Sequence, residues 1–246
     1  MQVYRSMAPR LNTAIAAAIF IFAGRPACPA VSAAPPDEAA VIRRVDAAVK
    51  NRVDSILEYT VTEHYAVYRN NDETHPVAEM TVKTVYQKGT GKSYTILSQQ
   101  GSSIIRNVVL GGILDNEKRI NQPGIREGSW ITSANYDFKL TPGGTQQVDG
   151  RDCFLLSITP RRKAPYLIEG RLWVDATSGS IVQLEGTASK SSSFLTGATR
   201  VTRQYGSVDG FSQATHARAE SDSSVFGRTV VKIDYEGYQL QLRPAQ

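Results

Sequence analysis

Cysteine is scarce in this chain, with Cys28 and Cys153 the only two among 246 residues. Cys28 lies in a leader expected to be removed, so no internal disulfide is available to the mature fold. Cys153, at the start of an apolar run, reads as a small core filler. Histidine is nearly as rare: His64, His75 and His216 stand far apart, without the close His or Cys spacing that grips a metal. No metal and no cofactor are expected. Gly-x-Ser-x-Gly is missing too, so no catalytic residue is nominated and the chain reads as a non-enzyme. A hydrolase would need a cleft joining one of the three histidines to a Ser or Asp. Long apolar runs are also lacking. Leu11 to Gly24 spans about 14 residues, short of the ~20 that cross a bilayer.

That run has Arg5 and Arg10 before it and Val31-Ser32-Ala33 after it, the layout of a secretory signal cleaved before Ala34. The expectation is export to the periplasm, with residues 34–246 as a single domain. Arg25-Pro26-Ala27 lacks the apolar residue that an acylated Cys28 would want three positions earlier, so lipid anchoring is not expected. The first 33 residues hold three arginines and no acids, which leaves 25 basic against 23 acidic residues and a net charge of +2 where the full chain has +5. A nucleic-acid partner is disfavoured, because the basic excess belongs mostly to the leader. Gly91-Lys92-Ser93 lacks the earlier glycine and the following helix of a phosphate loop, and reads as a turn.

What is present is β pattern. Gly170-Arg-Leu-Trp-Val-Asp175 and Ile181-Val-Gln-Leu-Glu185 flank Ala176-Thr-Ser-Gly-Ser180, a hairpin turn. Period two places Leu172, Val174, Val182 and Leu184 on one face, with Arg171, Trp173, Asp175, Gln183 and Glu185 on the other. Such strands suit an antiparallel sheet whose apolar face is covered. Asp37 caps a helix with an apolar stripe of Ile42, Val45, Val49, Val53 and Ile56. From Glu58 the period falls to two and three strands form a meander, through Asn70-Asn71-Asp72 and Gly89-Thr90-Gly91-Lys92. Ser102 or Ser103 caps a second helix, Ile104 to Arg119, apolar on most of its girth and expected to lie across the sheet. Asp115 and Glu117 read as solvated on its polar end. Trp130 to Leu140, Cys153 to Thr159 and the hairpin follow as strands. Beyond Ser191-Ser-Ser193 come Thr199 to Val208, Gln213 to Asp222 and Arg228 to Gln241, the last two joined at Phe226-Gly227. Arg161-Arg162-Lys163 is the one basic cluster, either a solvated loop or a rim for acidic head groups.

The order of elements resembles the LolA/LolB family of periplasmic lipoprotein carriers, which includes the outer membrane lipoprotein-sorting proteins. The resemblance rests on the exported start, the leading helix, the meander, the apolar helix ending near Glu117, Tyr136-Asp-Phe-Lys-Leu140, Leu155-Leu-Ser-Ile-Thr-Pro160, and Leu172-Trp-Val-Asp175 with its turn and Ile181. It implies an α+β fold, an incomplete and strongly curved antiparallel half-barrel whose concave apolar face is covered by helices. It implies a cavity for acyl chains, with transfer toward the outer membrane. The inward residues named for that cavity are Val82, Tyr136, Phe138, Phe154, Leu156, Leu172, Val174, Leu184, Ile233 and Tyr235, with Val108, Val109 and Ile113 on a lid. The expected ligand is an acylated lipoprotein or lipid, carried by a monomer with transient membrane-surface contact. The alternative is an envelope sensor module that uses the same half-barrel to contact a protein partner.

Overall fold

The computed structural model describes residues 37–190, 198–223 and 227–244. The expected leader with Cys28, the run Ser191-Ser-Ser193 and Phe226 lie outside these. Helix α1 (Glu38–Ser55) starts where Asp37 accepts a hydrogen bond from Ala39 N at 3.0 Å. Its buried line is Val41 and Val45, not one centred on Ile42, and Ile56 is already extended. There the chain enters β1 (Ile56–Arg69), followed by β2 (Ala78–Gln87) and β3 (Gly91–Gly101). After the second helix come β4 (Tyr136–Leu140), β5 (Gln146–Val148), β6 (Arg151–Pro160), β7 (Ile168–Asp175), β8 (Ile181–Ala188), β9 (Thr199–Val208), β10 (Phe211–Ser223) and β11 (Gly227–Leu242).

Among the described residues eleven strands pair antiparallel in one sheet, in the order β3-β2-β1-β11-β10-β9-β8-β7-β6-β4, with β5 also on β6. The sheet does not close on itself, so the fold is an α+β open half-barrel. Its longest pairing joins β1 to β11, from Ile56 opposite Leu242 to Arg69 opposite Thr229, and ties β1–β3 to the other strands.

Each helix buries its own section of the inner face. Val41 and Val45 of α1 pack with Tyr136, Leu156, Leu172, Val174 and Leu184. The second helix (residues 103–120) places Ile105, Leu110 and Leu114 against Tyr65, Val67, Met80, Val82 and Val231. It is not a plain α-helix, because Arg106–Leu110 forms a π-turn between Ser103–Ile105 and Gly111–Ile120. Ile105 and Leu110 are five residues apart, which a regular α-helix would put on different sides; the wider turn realigns them. The apolar girth is therefore divided. Ile104 and Val108 are 65% and 54% exposed, while the rest of the apolar set meets the sheet. Gly112 sits beyond the π-turn with open space where a Cβ would go. Gly112→Ala is expected to stabilise the protein by about 0.5–1 kcal/mol through helix propensity, read as a higher thermal midpoint.

Two strand expectations need correction. Residues 130–135 are not strand, since Asn135 Nδ2 donates to Glu127 O (2.8 Å) and Trp130 O (2.9 Å) and folds this stretch back on itself. Ser133 N ties the loop to Asp46 of α1 at 2.8 Å. In the β7–β8 hairpin, Leu172 opposes Leu184 and Trp173 opposes Gln183, but Val174 opposes Ile181. This bulge sends Val182 to the outer side, where it packs with Cys153 and Trp173. Trp173, expected to be wet, is only 7% exposed and donates from Nε1 to Gln146 Oε1 at 3.1 Å. Cys153 is fully enclosed there, and burial pushes its thiol up, as suits a packing residue.

Candidate functional site

Between the two helix-covered sections lies a cavity of about 530 Å³. Its walls are the second half of α1, the C-terminal end of the second helix, the 126–131 loop and the inner face of the sheet. The lining is mixed. Val49, Val53, Ile120, Ile131, Ile181 and Val201 make an apolar part, and Tyr59, Tyr86, Tyr205, Tyr235 and Tyr238 ring another. Tyr59 stacks on Tyr86 with ring centroids 5.0 Å apart. Burial raises the phenols of Tyr235 and Tyr238 well above the usual tyrosine range, so both keep their protons and can donate hydrogen bonds.

A group of charges lies within these walls. Lys92 Nζ is 2.9 Å from Glu117 Oε2, and Arg203 Nη2 is 3.9 Å from Glu117 Oε1. Asn121 Nδ2 donates to Glu117 O at 2.8 Å. Burial opposes ionisation of Glu117, yet Lys92 and Arg203 outweigh it and hold the carboxyl down to about 2. Glu117 is thus no solvated surface acid, which corrects the reading from sequence. Lys92, read as a turn residue, belongs to the same group. Asp115 takes the other side, accepting from Tyr94 Oη at 3.3 Å. Arg126 Nη1 donates to Tyr86 Oη (3.0 Å) and Lys88 O (2.6 Å), and its Nε to Glu127 Oε1 (3.1 Å). Arg52 donates from Nε to Ser212 O (2.9 Å) and from Nη2 to Gln213 Oε1 (3.0 Å).

Of the residues named from sequence, Tyr136, Leu184 and Tyr235 line the cavity. The Tyr136 hydroxyl accepts from Ile168 N at 3.3 Å, and burial pushes its phenol up to about 12. Leu156, Leu172 and Val174 are fully buried under α1, with Phe138 and Phe154 packed against that cluster. Val82 is buried under the second helix beside Ile233, Val109 and Ile113, and Val108 faces outward. Arg162 donates to Asn135 Oδ1 (3.1 Å) and Gly128 O (2.5 Å), and Arg161 pairs with Asp137 at 3.0 Å, so two members of the basic cluster tie loops together. His64, His75 and His216 stand 3.1, 3.1 and 2.7 Å from Thr81, Asp72 and Asp234. None of them lines the cavity, and among the described residues no hydrogen bond joins one to a serine.

Arg52, Arg203 and Gln213 were not singled out from sequence. The inward placement of Arg203 was open to the alternation of Val201, Arg203 and Tyr205 along β9; Gln213 gave no local signal.

No protein-family model matches the chain, and no curated protein matches it. Among solved structures it is similar to the LolA superfamily protein NE2245 from Nitrosomonas europaea, with 12% identity over 84% of this chain and 94% of that one and a TM-score of 0.44. It is similar to a domain assigned to the outer membrane lipoprotein-sorting proteins of Vibrio parahaemolyticus, with 13% identity over 80% and 91% and a TM-score of 0.42. A DUF1329 family protein from Desulfovibrio piger aligns with 15% identity over 82% and 93%, at a TM-score of 0.41.

Proposed function

We propose that this chain is a non-catalytic periplasmic carrier or chaperone that shelters the acyl chains of lipoproteins or lipids on their way toward the outer membrane. The observation that carries the reading is the cavity of about 530 Å³ left between the inner face of the sheet and its two helices. That size lies in the range of small-molecule sites, and its apolar part suits hydrocarbon. Each methylene withdrawn from water contributes about 0.8 kcal/mol, so a partly buried chain binds without any covalent step. The second helix is the lid: Val109 and Ile113 hold it to the sheet, Val108 faces solvent, and the π-turn between its α-helical parts is the place where it yields.

The test is titration of a synthetic diacylated lipopeptide into the chain and into Val201→Trp, which adds bulk on the floor of the cavity. The parent is expected to bind, and the variant to bind at least about tenfold more weakly while keeping its circular dichroism spectrum. A parent that binds nothing, or a folded variant with undiminished affinity, overturns the assignment. The sensor alternative is favoured by the exposure of Ile96 (45%) and Leu97 (56%) on the edge strand β3, and of Ile104 and Val108 on the second helix. A stoichiometric protein partner and no lipid in native mass spectrometry of material from the host would select it.

A further inference from the structure

A hydrogen-bond account of the cavity leaves donors over. Four cations line it, Arg52, Lys92, Arg126 and Arg203, against two anions, Glu63 and Glu117. Arg126 and Arg52 are bonded to acceptors of the protein, and Lys92 is paired with Glu117. Arg203 is only partly satisfied: it shares a hydrogen bond with Tyr205, but its carboxylate contact is the 3.9 Å one to Glu117, and its buried Nε has no hydrogen-bond partner.

Gln213 is the second case, and the sharper one. It is 1% exposed, lines the cavity from β10, and its Nε2 has no partner. The direction of its amide is fixed, because Arg52 has only donors to offer and so claims Oε1. Both Nε2 hydrogens are thereby turned away from Arg52. A buried donor without an acceptor costs about 1–3 kcal/mol, so such a group is rare unless something else satisfies it.

With Glu127 set against Arg126 at 3.1 Å, one cation in excess and two unpartnered donors in one mixed cavity specify what is missing: an anionic group that brings acceptors and no donors. Resting on the carrier reading, we propose that the cavity selects amphiphiles with a carboxylate or phosphate head, held by Gln213 and Arg203 while the chain lies along Val201 and Ile181. A neutral hydroxyl head would bring a donor of its own and answer only part of this arrangement. A cationic head would meet the excess positive charge.

The test uses three ligands with one chain: palmitate, palmitoyl lysophosphatidic acid and monopalmitoylglycerol, titrated into the parent, Gln213→Glu and Arg203→Gln. Gln213→Glu keeps an acceptor for Arg52 and so preserves the fold, but it removes both free donors and adds a negative charge. The parent is expected to bind palmitate, lysophosphatidic acid or both at least about tenfold more tightly than the glycerol ester. Whichever is favoured identifies the head as carboxylate or phosphate. In Gln213→Glu the preference is expected to disappear with thermal stability retained, and in Arg203→Gln to shrink. Equal affinity of the parent for all three overturns head-group selection and leaves the carrier reading standing. Binding of none overturns both. A preference unchanged in Gln213→Glu removes Gln213 from the site and overturns the proposal as stated.

Discussion

Alanine at Gly170 is expected to cost the fold at least about 3 kcal/mol, a large share of the stability of a typical domain. Gly170 faces Gly186 across β7 and β8. A Cβ at 170 would stand 2.1 Å from Glu185 O and 2.5 Å from Gly186 Cα, and one at 186 would stand 2.3 Å from Glu169 O. These are backbone atoms of the neighbouring strand, so no rotamer change can give way. Relief requires the two strands to part, in the section that carries Leu172 and Leu184 beneath α1. Urea unfolding of Gly170→Ala should show a much lower midpoint, with Gly112→Ala moving the other way as a matched control. A Gly170→Ala midpoint equal to the parent's would mean that the strands are not so closely apposed.

Glu117→Ala carries the second large effect, because it leaves Lys92 and Arg203 inside the cavity without their carboxylate. Breaking a buried ion pair from one side costs about 3–5 kcal/mol. Lys92, Glu117 and Arg203 are 16%, 26% and 34% exposed, so solvent relieves some of this and about 2 kcal/mol is expected. The pH dependence is the distinguishing readout. Glu117 is held at about 2, against an ordinary value of 4.5, so its stabilisation is fully present above pH 4.5 and fades as pH falls toward 2. The parent should lose stability steeply across that window, and Glu117→Ala should show a shallower fall over the same range. Parallel curves would show that the carboxylate contributes nothing there. Lys92→Met combined with Glu117→Leu, which removes both charges of the closest pair, should be milder than Glu117→Ala.

The fold was legible where a two-residue period or a local turn or cap decided the matter. The hairpin around Gly179, the meander and the capping Asp37 are local chemistry, and the strands follow from it. The failures were phase errors. One inserted residue in the β7–β8 pair moved Val182 to the other face, and one wide helical turn made Ile105 and Leu110 neighbours. Neither leaves a mark in a pattern read at fixed period. The site was harder still, because its chemistry is between distant segments. Gln213 matters only because Arg52, 161 positions away, fixes its amide, and Glu117 looks like any surface acid until Lys92 and Arg203 are beside it.

The seam between β1 and β11 has a consequence for the life of the chain. The strand that follows the leading helix finds one of its two partners only in β11, far along the chain, so β1–β3 and β4–β10 stay unjoined until that strand is in place. Such distant pairing makes folding slow and late. Trimming residues 227–242 would cut the wall in two unequal pieces, parting β1–β3 from the longer run of strands on the other side of the gap.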